Sequence, residues 1–207
     1  LAPSAQIVGI DASAQRVAQA QAAAASLPNT RFEQGQLHSL ALADGSVDHA
    51  VCRFVFQHLN GAAPQLAAAR ELGRVLKPGG TVHLIDVDGF FDNLYPSTPT
   101  LTQAAAQMKS GKLLDMWVGR KLPALLREAG YTEVAWRIEI MDVKGAARVQ
   151  ELALFEERFA HSGPAIDQAS GVPGLAHKLK SDLFACLADP LAVMYYNKFI
   201  VTARKPV

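Results

Sequence analysis

The chain has 207 residues, half of them apolar, and a formal net charge of +1. This is the size and composition of one globular domain with a substantial core. Acids and bases are interspersed and no apolar run is long enough to span a bilayer, which argues against a nucleic-acid surface, an acidic tail and membrane insertion. A small-molecule partner fits better, with a homodimer left open. Cys52 and Cys186 lie far apart in apolar runs and read as buried thiols. With no charged, then apolar, opening segment, the expected compartment is the reducing cytoplasm. The chain opens on Leu1 and enters a strand almost at once, so further residues are expected upstream.

In chain order, Gln6 to Asp11 is a short β-branched strand ending in an acid, and an alanine-rich helix runs from Ser13 to Leu27. Thr30 to Gly35 reads as a second strand, and Val47 to Phe54 as a third. A helix from Pro64 follows, with Leu66, Ala69, Leu72, Val75 and Leu76 on one face. Lys77-Pro78-Gly79-Gly80 stops it and reads as a structural turn before the apolar strand Thr81 to Val87. Asp88 to Trp117 is irregular and rich in aromatic residues. Gly119 to Ala129 is a helix, Thr132 to Ile140 a strand, Arg148 to Phe159 and Leu175 to Leu187 amphipathic helices, and Tyr195 to Ala203 a closing strand.

Alternating strands and helices, with strands apolar enough to be covered on both faces, predict an α/β domain, doubly wound around a mostly parallel sheet. In such a sheet, ligands bind beyond the carboxyl ends of the strands, so the loops after Ile10, Gly35, Val51 and Ile85 share one crevice. Asp11 there can accept hydrogen bonds from both hydroxyls of a ribose; its plain alternative is a charge at a helix N-terminus. Gln36 can read an adenine edge while Leu37 covers the ring, or the loop is simply solvated. Arg53, Phe54, Phe56 and His58 bring a cation, aromatics and an imidazole, although Phe54 and Phe56 also suit a core and His58 a structural role. Histidine spacing suggests no metal site, so none is expected.

Three strings together resemble the class I S-adenosylmethionine-dependent methyltransferase family, in its branch of ubiquinone-biosynthesis-like and small-molecule natural-product enzymes. They are Ile7-Val8-Gly9-Ile10-Asp11-Ala12-Ser13, Val47 to Phe54 with Gln57-His58-Leu59, and Glu71 to Gly80, the last being the most specific. The stretch Gly119 to Tyr131 resembles that family's late helix. The resemblance implies a Rossmann-like methyltransferase fold with a seven-stranded-type sheet, here lacking its first strand and the glycine-rich loop after it. It implies S-adenosyl-L-methionine as cofactor, with Asp11 on the ribose, Ala12 and Arg16 near the adenosine, Gln36 and Leu37 on the adenine, and Arg53, Phe54 and His58 at the methionine end. The family usually has aspartate where Gln36 stands.

Methyl transfer depends mainly on positioning and desolvation, with a base needed only for a protonated acceptor. His58, Asp86 and Asp88 are the base candidates. Phe90, Phe91, Tyr95 and Trp117 offer stacking surface for a small aromatic or apolar acceptor, methylated on O, N or C. Residues 141–194 are expected to form a helical insertion covering the site, or to pack permanently. A nicotinamide-dependent oxidoreductase and a non-catalytic interaction module of the same fold are the rival readings.

Overall fold

The computed structural model describes residues 5–109 and 114–207. Strand β1 (Ile7–Asp11) leads into α1 (Ala14–Ala23), whose start is capped by Ser13: its Oγ accepts the Arg16 N–H at 3.4 Å. Strand β2 (Thr30–Gln34) pairs in parallel with β1, from Ile7 opposite Thr30 to Asp11 opposite Gln34. A side chain at Gly9 would come within 2.3 Å of the Phe32 ring, so glycine is what lets that ring lie across the strand.

Strand β3 (Val47–Arg53) and helix α2 (Ala62–Val75) precede β4 (Leu76–Asp88), which runs parallel to β3. The Lys77-Pro78-Gly79-Gly80 turn lies inside β4, but the chain does break there: Gly79 has φ +74° and the β3–β4 register shifts between Val47 and His49. Strand β5 (Leu94–Tyr95) is followed by α3 (Pro99–Lys109), a helix within the stretch read as irregular. Leu101, Ala104, Ala105 and Met108 are its buried face, at helical spacing, and the Thr98 hydroxyl accepts the Leu101 N–H at 3.2 Å. Then come α4 (Leu122–Glu128), β6 (Thr132–Asp142), α5 (Gly145–Ser170), α6 (Leu175–Ala188) and β7 (Val193–Arg204).

The larger sheet has the order β3-β4-β7-β6, with β5 joined to the start of β7. β3 and β4 run parallel and β7 runs antiparallel to β4, β5 and β6, so the sheet is mostly parallel, as the alternating pattern predicted, with β7 as its reversed strand. The reason is positional: β7 enters between β4 and β6 after the helical insertion, and reverses direction to do so. β1 and β2 form a separate two-stranded sheet.

Two apolar cores result. One lies between the larger sheet and α2 and α4, built on Leu72, Leu76, Leu84, Leu122, Leu126 and Val201. The other lies above the carboxyl end of β4, where Phe90, Leu101, Phe155, Leu179, Leu183 and Tyr196 join α3, α5 and α6 to β4 and β7. Along β4, Val82 and Leu84 are fully buried while the alternate residues His83 and Ile85 are half-buried. Beside them Val51 in β3 is 70% exposed, so one sheet face and the free edge of β3 stay open. No described helix is long and apolar enough to cross a membrane.

Candidate active site

The site is built from strand ends. Asp11 closes β1, and its Oδ1 accepts the Ser13 N–H at 2.8 Å, which fixes the carboxylate at the head of α1. A cavity of about 270 Å³ opens beside it, lined by Gly9, Ile10, Asp11, Arg16, Val17 and Phe32. An acid at the rim of an apolar hollow suits a ligand with one hydroxylated and one apolar part. Ala12 is exposed, and its carbonyl accepts from the Gln34 side chain at 3.0 Å. Gln36 is exposed in a tight turn closed by the Ser39 N–H on its carbonyl, and Leu37 packs against the core of the larger sheet.

At the end of β3 the backbone is strained. Phe54 has φ +56°, rare for a bulky residue, and is held there by its N–H on the Ile85 carbonyl at 2.8 Å. The reversal stacks the Arg53 guanidinium over the Phe54 ring, 4.8 Å from its centre, and starts the short 3-10 turn Phe56–His58. His58 keeps an exposed edge, and its Nε2 lies 3.2 Å from the Gln57 amide nitrogen. Crowding by protein atoms, then the charges of Arg16 and His161, hold its pKa below the ordinary value, while Asp11 acts the other way. The fold therefore brings Asp11, Arg16 and His58 within electrostatic range of one another, from β1, α1 and the turn after β3, and adds His161 from α5, which sequence reasoning missed.

The acids of β4 are differently placed. Asp86 is buried, and its carboxylate accepts the N–H groups of Val87 (2.9 Å) and Gln57 (3.3 Å). Burial pushes its pKa up to about 7, against the lowering effect of those N–H groups. Asp88 is fully buried, and both its oxygens are taken by Arg120, at 2.6 and 2.8 Å. Both are buried and hydrogen-bonded within the fold, Asp86 to backbone N–H groups and Asp88 to Arg120, at the positions where the sequence suggested a base.

The aromatic cluster expected to line a pocket is also divided. Phe90 and Phe91 are buried in edge-to-face contact at 4.8 Å, and Phe90 further meets Phe155 at 5.4 Å and Tyr196 at 5.0 Å. They are core beneath α5, because the insertion needed an apolar floor. Tyr95 is 76% exposed on β5. Trp117 is half-buried, with Lys109 and Arg120 over its ring at 4.4 and 3.8 Å. Sequence reasoning also missed the buried Asp115 and Gln65, 2.9 Å apart; fifty residues separate them and no spacing signals the pair.

Residues 1–84 match the methyltransferase-domain family. A 37.1 kDa protein in transposon TN4556 of Streptomyces fradiae is 34% identical over 169 residues, covering 79% of this chain and 48% of that protein. The methyltransferase YcgJ of Bacillus subtilis is 35% identical over 83 residues, 39% of this chain and 32% of YcgJ. The chain thus spans half or less of these curated relatives. Among solved structures, the [4+2]-cyclase SpnF superposes with a TM-score of 0.58 at 27% identity, covering 99% of this chain and 67% of SpnF. The YcgJ structure superposes with a TM-score of 0.57 at 19% identity, covering 98% and 83%. Residues 1–84 thus match the methyltransferase-domain family, and the chain shares its fold along nearly its whole length with these two structures.

Proposed function

We propose that the protein containing this chain is an S-adenosyl-L-methionine-dependent methyltransferase acting on a small molecule. The observation that carries the reading is the convergence of Asp11, Arg16 and His58 at one crevice beside the cavity under β1. The residues fit the cofactor: Asp11 has the geometry to accept from the ribose hydroxyls, Gly9, Ile10, Val17 and Phe32 offer the adenosine an apolar wall, and Arg53 with Phe54 faces the methionine end. When bound, the cofactor supplies a sulfonium methyl group to an acceptor lone pair. The chain's own part is to hold the acceptor in line and keep water out.

His58 is the base candidate for a hydroxyl or amine acceptor, because a lowered pKa keeps its ring neutral and able to take a proton near pH 7. Trp117 and Tyr95 are the aromatic surfaces left for the acceptor, since Phe90 and Phe91 are committed to the core. The insertion of α5 and α6 lies above the same strand ends and is the cover of the site. It is a firmly seated one: Arg148 on α5 donates to the carbonyls of Asp189 and Ala192, both at 2.8 Å.

We also read a missing layer in the fold. The open edge of β3, the separate β1–β2 pair and the half-exposed face carrying His83 and Ile85 suit one further parallel strand between β1 and β3, with a helix over that face, contributed by polypeptide outside these 207 residues. Its first turn would hold the amides that receive the cofactor's carboxylate.

Calorimetry on the full protein tests the reading: S-adenosylmethionine and S-adenosylhomocysteine should bind in the micromolar range. Binding of a nicotinamide dinucleotide and neither sulfur compound overturns it. A second reading draws on SpnF, named a [4+2]-cyclase, which shares this fold along 99% of the chain. On that reading this chain would shape a substrate for ring closure, and no methyl group would move. Release of S-adenosylhomocysteine on turnover separates the two.

A further inference from the structure

We propose that Asp115 is a positioning residue that couples the turn carrying His58 to the segment carrying Trp117. The proposal deepens the reading above, in which these are the cofactor side and the acceptor side of one site. Asp115 is 3% exposed, yet it follows no strand and belongs to no helix. Its Oδ1 accepts from Lys121 Nζ at 2.9 Å and from the Trp117 N–H at 3.3 Å; its Oδ2 accepts from Lys121 Nζ at 2.7 Å and from Gln65 Nε2 at 2.9 Å. A buried carboxylate with this many partners is fixed in place, and it fixes them in turn.

The connections reach both sides of His58. The Asp115 N–H donates to the Gln57 carbonyl at 2.8 Å, and Gln65, itself 3% exposed, donates from the same Nε2 to the Leu59 carbonyl at 3.0 Å. Gln57 is gripped from its other side by Asp86, which accepts the Gln57 N–H. The residues before and after the imidazole are thus both tied to Asp115, directly or through one amide. On the acceptor side the Trp117 N–H meets the Asp115 carboxylate, and the Met116 carbonyl accepts the Gly89 N–H at 2.8 Å, which joins the segment to the end of β4. A movement of the His58 turn is therefore transmitted to Trp117 through Asp115. Lys121 pairs with the buried carboxylate at 2.7 Å.

The test uses the full protein with Trp136→Phe, which leaves Trp117 as the tryptophan of this chain. Asp86→Asn disturbs Gln57 from the side away from Asp115, and should shift the Trp117 emission in the ligand-free protein. Asp115→Asn keeps the backbone N–H on Gln57 and weakens the carboxylate's contacts with Gln65, Lys121 and the Trp117 N–H, so in that background the shift should shrink. Equal shifts in both backgrounds overturn the proposal. Should Asp115→Asn fail to fold, Gln65→Met cuts only the branch to Leu59, and there the shift should shrink; an undiminished shift again counts against the coupling. A second readout is hydrogen exchange with S-adenosylhomocysteine. The ligand should slow exchange about tenfold at both 55–59 and 114–118 in the parent, and at 55–59 alone in Asp115→Asn. Parallel slowing in both proteins overturns the proposal. Absence of any binding to the parent defeats the cofactor reading instead, while the emission cycle still decides the coupling.

Discussion

The β1–β2 pair and the β3-β4-β7-β6 sheet form separate sheets, and they are held in different ways. The larger sheet buries Leu76, Val82, Leu84 and Val201 completely beneath α2 and α4. The smaller has two strands of five residues and one helix, in which Val17 alone is buried. A two-stranded sheet is marginal by itself. The part that carries Asp11 therefore has the least apolar support, and the part that carries His58 has the most. Ligand affinity at the first and fold stability at the second should be separable by mutation.

The largest effect is expected in the well-packed sheet. Leu84→Ala should cost about 2–5 kcal/mol in chemical denaturation, whereas Val17→Ala should cost about 1–2 kcal/mol. Equal costs would mean that the small pair is as well supported as the large sheet. The next effect is pH-dependent and also sits in the large sheet. Because the Asp86 carboxyl is raised to about 7 when folded, the folded state keeps its proton where the unfolded chain has lost it. Its contribution is complete below the unfolded value near pH 4, is lost as pH rises toward about 7, and is flat above; at about 1.4 kcal/mol per unit it amounts to a few kcal/mol. Asp86→Asn should remove this slope from stability measured between pH 4 and 8, and an unchanged slope would show that other groups set it.

Smaller effects belong to the β1–β2 pair. Asp11→Ala should weaken S-adenosylhomocysteine binding by about 1.5–3 kcal/mol, the scale of hydrogen bonds to a charged group, with an unchanged circular dichroism spectrum. An unaltered dissociation constant in the folded variant refutes the ribose assignment. Gly9→Ala forces the Phe32 ring aside and should cost about 1–3 kcal/mol, by overpacking; a neutral outcome would show that the ring is free to move.

How much was readable follows from which forces are local. Ile7 to Asp11, Val47 to Arg53 and the face of α2 announce themselves through β-branching and helical spacing, and Asp11 through its place at a strand end. Helix α3 was readable too, since Leu101, Ala104, Ala105 and Met108 repeat at helical spacing, but the surrounding prolines and aromatics favoured an irregular reading. Phe90 and Phe91 were misjudged because aromatic residues past a strand end serve equally as pocket wall or as core, and only the arrival of Phe155 and Tyr196 decides between them.

By itself the sequence determined most of the elements, the class of the fold and the acid at the end of β1, because periodicity, turn chemistry and strand-end position act over a few neighbouring residues. The tertiary structure alone decided that β7 enters antiparallel between β4 and β6, that Asp86 and Asp88 are spent on the Gln57 N–H and on Arg120, and that Asp115 ties Gln57 to Trp117. These outcomes depend on groups up to about 110 residues apart, such as Asp86 and β7, meeting in an interior where each buried polar atom must find a partner, and no local pattern encodes that meeting.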